Sequence, residues 1–203
     1  LAHAASKKQM WFIGLGSGVE RYADDPARLG EPYLTYARRK IALRDSIRAI
    51  DPERFSWLRL HFLFGPGERA TRIIPSTIAA CRQVGEFASA SLDRKRRWLH
   101  VDDAAALILR FAENPAAGGY DIAGQEDVSF RQMFALIENA VGEPLRLAPS
   151  SQAAADGNLI MIEPENMAPI VPPDAGRIDN LLARMTEYVQ WLDNQRATAF
   201  EEG

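Results

Sequence analysis

The sequence predicts an α/β fold built on a parallel sheet. Three observations carry that prediction. Two apolar runs, "MWFIGL" (10–15) and "FSWLRLHFLF" (55–64), flank a long stretch with helical spacing. The connections between them are short, the pattern of a strand–helix–strand crossover. Beyond residue 70, strand-like and helix-like segments keep alternating, with no internal repeat and no long low-complexity tract.

Each element has its own signal. The chain opens on "LAHAASKKQ", which reads as the tail of a helix, as if the sequence began inside a longer protein. "MWFIGL" reads as a buried strand that runs into the glycine-rich "GLGSG" (14–18). Residues 33–50 place Ala37, Ile41, Leu43, Ile47 and Ile50 at helical spacing. "FSWLRLHFLF" reads as one buried strand closed by the turn "GPGE". "IIPSTIAACRQVG" (73–85) reads as a helix and "RRWLHV" (96–101) as a short strand. "DDAAALILRFAEN" (102–114) starts with two acidic residues, which the helix dipole favours at that end. "GGYDIAG" (118–124) is a strand bounded by glycines. "SFRQMFALIENAVG" (129–142) opens on a capping box, Ser129 with Gln132, and stops at Gly142. Residues 145–175 are Pro- and Ala-rich around one apolar run, "LIMIEP". In the last helix Leu181, Met185, Tyr188 and Leu192 share a face.

The chain has 203 residues, of which 47% are apolar, enough for one sizeable domain with a proper core. Net charge is −3 with both signs interspersed, which argues against a general nucleic-acid or membrane surface. The most basic stretch, "DRKRRW" (93–98), is short. Cys81 is alone, so the sequence offers no disulfide framework and no cysteine metal site, and neither His3 nor His61 has metal-ligand spacing. No apolar run approaches the roughly 18 residues of a membrane span, and no secretory signal is visible. A reducing, cytoplasmic setting is expected.

"GLGSG" invites comparison with the dinucleotide fingerprint G-x-G-x-x-G, which needs a third small residue so that the next helix can approach the sheet. Counting from Gly14, that place holds Val19, which is β-branched. No strand ending in an acidic residue follows within the next turn-like stretch, "ADDPARLGEP". The fingerprint reading therefore fails, and a strand ending at a turn is left. Chemistry enters with Tyr36 and Lys40, which form Y-x-x-x-K on one helix face. A phenol with a pKa of about 10 is a poor base at neutral pH, and a neighbouring ammonium favours its phenolate.

These residues stand in an order that resembles the extended short-chain dehydrogenase/reductase superfamily, in its NAD-dependent epimerase/dehydratase group acting on nucleotide sugars. "LGSGVE" followed by "PYLTYARRK" matches a strand ending in Ser or Thr and a helix bearing Y-x-x-x-K. "LRLHFLFGPGE" is similar to the group's strand ending in an aromatic and GPG. "RRWLHVDD", "YDIAG" and "VSFRQMFALI" resemble its later motifs, so the ordered match runs from about residue 10 to residue 142.

The resemblance implies the second half of a doubly wound parallel (Rossmann-type) sheet with a small mixed α/β substrate-binding part. Residues 1–68 would hold the late strands and catalytic helix, and residues 69–203 mainly the substrate part, with some segments returning to the sheet. It implies Ser17, Tyr36 and Lys40 as catalytic residues, with Tyr36 and Lys40 also touching the ribose of NAD or NADP. Ser17 would contact the substrate, and Arg96 would pair with its diphosphate, Arg97 being the next candidate. The glycines of "GLGSG" would let cofactor and sugar come close to backbone. A nucleotide sugar is the implied partner, and a homodimer through the Tyr36/Lys40 helix the implied assembly; nucleic acid, membrane and metal are not implied. His100, Asp102 and Asp103 read as structural.

The chain departs from the pattern in three places. Phe62 stands where an Asn is usual, and Asp121 and Ala123 replace the usual residues of the "Y-N-I-G" strand. The glycine-rich fingerprint of the group's first half is not among these residues, so the segment alone is expected not to hold NAD(P). The alternative from another class is a non-catalytic, ligand-binding or regulatory relative that keeps the fold.

Overall fold

A short helix, α1 (Ala2–Lys7), leads into β1 (Phe12–Ser17). One 3₁₀ turn (Gly18–Tyr22) follows, then α2 (Glu31–Arg48), which has a proline in its first turn, and then β2 (Phe55–Leu60). β1 and β2 pair in parallel, from Phe12 opposite Phe55 to Ser17 opposite Leu60, so the crossover expected from the two apolar runs is present. The computed structural model describes residues 2–26, 29–83, 86–88, 92–148, 169–170 and 177–201. The apolar run "LIMIEP" lies outside the described residues.

The ten-residue run 55–64 is not one strand. Its last ladder bond on the β2 side is from His61 N–H to the carbonyl of Ile122, at 3.0 Å. At Phe62 the chain changes partner: its carbonyl accepts from Leu99 N–H, and β3 (Leu63–Phe64) pairs with β6 (Leu99–His100). α3 (Ile73–Arg82), β4 (Glu86–Phe87) and β5 (Lys95–Arg96) come between, so "RRWLHV" is split between two short strands rather than forming one. α4 (Val101–Glu113) then leads to β7 (Gly118–Ile122), β8 (Val128–Ser129), α5 (Phe130–Val141), β9 (Arg146–Leu147), β10 (Pro169–Ile170) and α6 (Ile178–Glu201). The main sheet runs β1-β2-β7-β10, with every neighbouring pair parallel. The pairs β3–β6 and β4–β9 are parallel, and β5–β8 is antiparallel.

Side-chain alternation gives the sheet two covered faces. Leu58, Ile122 and the half-buried Leu60 pack with Leu99, Ala104 and Leu107 beneath α4. The other face carries Phe12, Phe55 and Trp57, stacked in a row with ring centroids about 6 Å apart. A methyl group on Gly14 or Gly16 would overlap the Trp57 indole, and one on Gly18 would overlap the His61 imidazole. The glycines of the opening stretch thus make room for this chain's own side chains. Burying an indole of this size stabilises the fold by roughly 2–3 kcal/mol.

A second core joins α3, α5 and α6 with Phe64, Trp98 and Val128. α5 begins as its sequence dictates: Gln132 N–H donates to Ser129 Oγ and Ser129 N–H to Gln132 Oε1. It stops at Gly142, whose φ of 79° suits a residue without Cβ. Phe62 packs against this core and against a smaller cluster around Val19, Leu34 and Ala37. It stands at the junction between them.

Candidate active site

A cleft of about 650 Å³ opens at that junction. Its walls include Ser17, Tyr36, His61, Phe62 and Arg72. Ser17 is the last residue of β1, and the carboxyl ends of parallel strands are where ligands bind in open α/β sheets. Its backbone is held firmly. Ser17 N–H donates to Glu20 Oε1 at 2.7 Å, and the other oxygen of this buried carboxylate accepts from Trp57 Nε1 at 2.8 Å. The turn after β1 is therefore tied to the middle of β2.

α2 brings the tyrosine to the same cleft. Tyr36 is 45% exposed, so its ring is open to a ligand. Lys40, one turn on, has Nζ 6.0 Å from the Tyr36 ring centroid and donates to the Leu15 carbonyl at 3.1 Å. That bond fixes the ammonium between α2 and β1 and leaves two of its N–H groups for other acceptors. Ser17 and Tyr36 thus share one cleft with Lys40 behind the tyrosine, as their order along the chain predicts.

Arg96 lies elsewhere. It is 1% exposed, with its guanidinium 4.9 Å from the Phe62 ring centroid and 5.7 Å from that of Phe130. Its Nη1 donates to the Lys95 carbonyl at 2.7 Å. Phe62 lies on Arg96 and also faces the cleft. Arg97 pairs with Asp127 at 2.8 Å. The guanidinium that does line the cleft is Arg72, just before α3, whose Nε is 3.4 Å from Glu68 Oε1. Burial pushes the Glu68 carboxyl up to about 7, against the pull of Arg72.

His61 forms part of the cleft's inner wall, with Asp121 behind it. His61 is buried and its Nε2 donates to Asp121 Oδ1 at 2.9 Å. Asp121 also accepts two bonds from Arg59, at 2.8 and 2.9 Å, and two from Arg21. Burial alone would push its carboxyl up, but these donors outweigh burial and hold it well below the usual carboxylate range. Reading the sequence missed the network. Its signal was one departure, Asp121, which stands in register opposite Arg59 on the neighbouring strand. Arg72 was missed because a cation after a turn reads as solvated surface.

His100 caps α4: its Nδ1 accepts from Asp102 N–H at 3.3 Å. Burial lowers its pKa and favours the neutral ring that can accept this bond. Asp103 pairs with Arg184. Among the described residues no three metal-binding side chains gather at one place, and no helix is long and apolar enough to cross a membrane.

The profile of the NAD dependent epimerase/dehydratase family matches residues 1–123, well over half of the chain. The chain belongs to this family. Solved structures share the fold of this epimerase/dehydratase chain. A UDP-N-acetylglucosamine 4-epimerase from Methanobrevibacter ruminantium M1, in complex with UDP-N-acetylmuramic acid, is 15% identical with a TM-score of 0.66, covering 95% of this chain and 66% of that one. RMD from Pseudomonas aeruginosa, complexed with NADPH, is 17% identical with a TM-score of 0.62, over 92% of this chain and 70% of that one. WbmG from Bordetella bronchiseptica, in complex with NAD and UDP, is 20% identical with a TM-score of 0.63, over 96% and 64%. The chain spans about two thirds of the length of these structures. No curated protein matches it.

Proposed function

We propose that this chain is part of an NAD(P)-dependent enzyme that epimerises, dehydrates or reduces a nucleotide sugar by hydride transfer at a sugar carbon. The observation that carries the reading is the meeting of Ser17 and Tyr36 in one cleft with the Lys40 ammonium behind the tyrosine. Family membership and the fold of sugar-nucleotide enzymes support it.

Bound NAD(P) would supply the hydride acceptor or donor. Tyr36 and Lys40 fit the ribose of its nicotinamide end, where a phenol and an ammonium with free N–H groups meet. Gly14–Gly18 does not fit its pyrophosphate, because Trp57 and His61 fill the space beside the glycines. Tyr36 moves the proton of the reacting sugar oxygen, as a positioned phenol open to the ligand can. Ser17 hydrogen-bonds the same oxygen. For the diphosphate, Arg72 stands on the cleft and Arg96 behind Phe62, and a guanidinium can bind phosphate through two parallel bonds. Assembly as a homodimer through α2 belongs to the same reading, with Leu43 half exposed on that helix. A solution mass of one chain would remove the dimer.

A second reading, a relative that binds without turnover, draws on Phe62, an apolar ring at a place where the family uses a polar side chain. One experiment separates the two. An enzyme that joins this chain to a dinucleotide-binding half is incubated with NAD or NADP and with UDP-glucose or UDP-N-acetylglucosamine, and sugar products are followed by NMR. An epimer, a 4-keto sugar or a reduced sugar supports the first reading. Binding without any product supports the second.

A further inference from the structure

A second cleft, of about 390 Å³, lies on the face of the sheet that carries the aromatic row. It shares no lining residue with the first. Arg44 and Arg48 reach it from α2 and Arg59 from β2, over a floor of Phe55 and Trp57 and a rim formed by Gly118 and Gly119. We infer that this cleft is a binding site for a phosphate-bearing small molecule with a ring, of the size of a nucleoside monophosphate. The inference does not depend on the reaction proposed for the first cleft.

Three features argue for it. First, Arg59 is held ready. Its Nε and Nη2 bond both oxygens of Asp121, which fixes the guanidinium plane and leaves Nη1 out of the pair. A Cβ on Gly119 would lie only 2.9 Å from Nη1, so the bare glycine is what admits this nitrogen to the rim. Second, cationic charge is in excess. Asp121 is shared between Arg59 and Arg21, while Arg48 has no carboxylate partner among the described residues. Arg44 has Asp45 at 2.8 Å and the more distant Glu20 at 4.0 Å. Third, the space suits an organic phosphate better than a bare ion. Its volume falls in the range of roughly 300–1,000 Å³ typical of small-molecule sites, and its floor is aromatic. Guanidinium groups match phosphate oxygens in charge and geometry.

Calorimetric titration of the protein with adenosine monophosphate, and separately with inorganic phosphate, tests the site at low ionic strength. Arg48→Ala and Arg44→Ala alter exposed or half-exposed side chains outside the hydrophobic cores. Each should weaken adenosine monophosphate by about tenfold or more, the loss of one charge-assisted hydrogen bond. Gly119→Ala should weaken it too, by displacing Arg59 Nη1. Arg72→Ala, in the first cleft, should leave the affinity unchanged. Tighter binding of the nucleotide than of phosphate supports the ring-binding floor. Equal binding of the two, with the same dependence on Arg48, overturns the ring and keeps only the anion. No binding of either probe, or binding lost in Arg72→Ala and kept in Arg48→Ala, overturns the site.

Discussion

His61 Nε2 meets Asp121 Oδ1 at 2.9 Å, at the point where the chain leaves the main sheet for the second core. The contact joins the end of β2 to β7 and sets the imidazole against Gly18, beside Ser17. Position 18 must be bare for that imidazole to fit, and the imidazole in turn backs the cleft. One buried carboxylate thus organises the sheet end that carries the candidate chemistry.

Asp121→Ala should lower stability by about 3 kcal/mol or more, because it leaves Arg59, His61 and Arg21 without their shared acceptor. Urea denaturation at pH 7 measures this. The pH dependence has a defined sign. The folded carboxyl is held below its unfolded value, so its contribution is present above the ordinary carboxylate range, about 3.9, and is lost as pH falls below it. The alanine variant should lose less stability than the native protein on going from pH 5 to pH 2.5. Equal losses would contradict the assignment.

Glu68 has the opposite sign. Burial raises its folded pKa to about 7, so the folded state holds this proton more tightly than the unfolded state. Its contribution is present below the ordinary carboxylate range and is lost as pH rises toward 7. Glu68→Gln should therefore gain stability relative to the native protein between pH 5 and pH 8. Melting temperatures across that range check it, and a constant difference would count against the raised value.

Gly16→Ala should destabilise by about 1–3 kcal/mol, since its methyl overlaps the Trp57 indole and the Glu20 carboxylate, both buried. Tryptophan fluorescence should shift in the same variant as the indole moves. A stable variant with native fluorescence would return the glycines to the role first read from the sequence, close approach of a ligand.

Arg96→Ala opens a hole between Phe62 and Phe130 and should cost about 2–4 kcal/mol in packing, seen as a lower urea midpoint. Arg72→Ala alters an exposed side chain and should leave that midpoint within about 0.5 kcal/mol. Its effect should fall on affinity for nucleotide diphosphates. Identical midpoints for the two variants would remove the distinction.

Local signals made much of this fold legible. The β1–α2–β2 unit follows from two apolar runs around a helical period, and α5 from a capping box and a terminal glycine. What was not legible depends on partners distant in sequence. Residues 55–64 read as one strand because all but a few are apolar, yet they divide where Phe62 exchanges β7 for β6. The glycines of β1 answer to Trp57, some 40 residues later, which faces Gly14 in register. In the candidate site, Ser17, Tyr36 and Lys40 were legible from order and spacing. Arg72, and the enclosure of Arg96 by two phenyl rings, were not, because side-chain packing across two cores leaves no periodic trace.

The central claim is that Tyr36 carries the proton in nucleotide-sugar chemistry, and one comparison tests it most directly. Turnover of a nucleotide sugar with NAD(P) is measured for an enzyme that joins this chain to a dinucleotide-binding half, native and with Tyr36→Phe, a change that removes a hydroxyl from a ring that is nearly half exposed. The account predicts a fall in kcat of about 10²–10⁴-fold with KM little altered, the loss expected when a positioned acid/base group is removed. An unchanged kcat in Tyr36→Phe would contradict it.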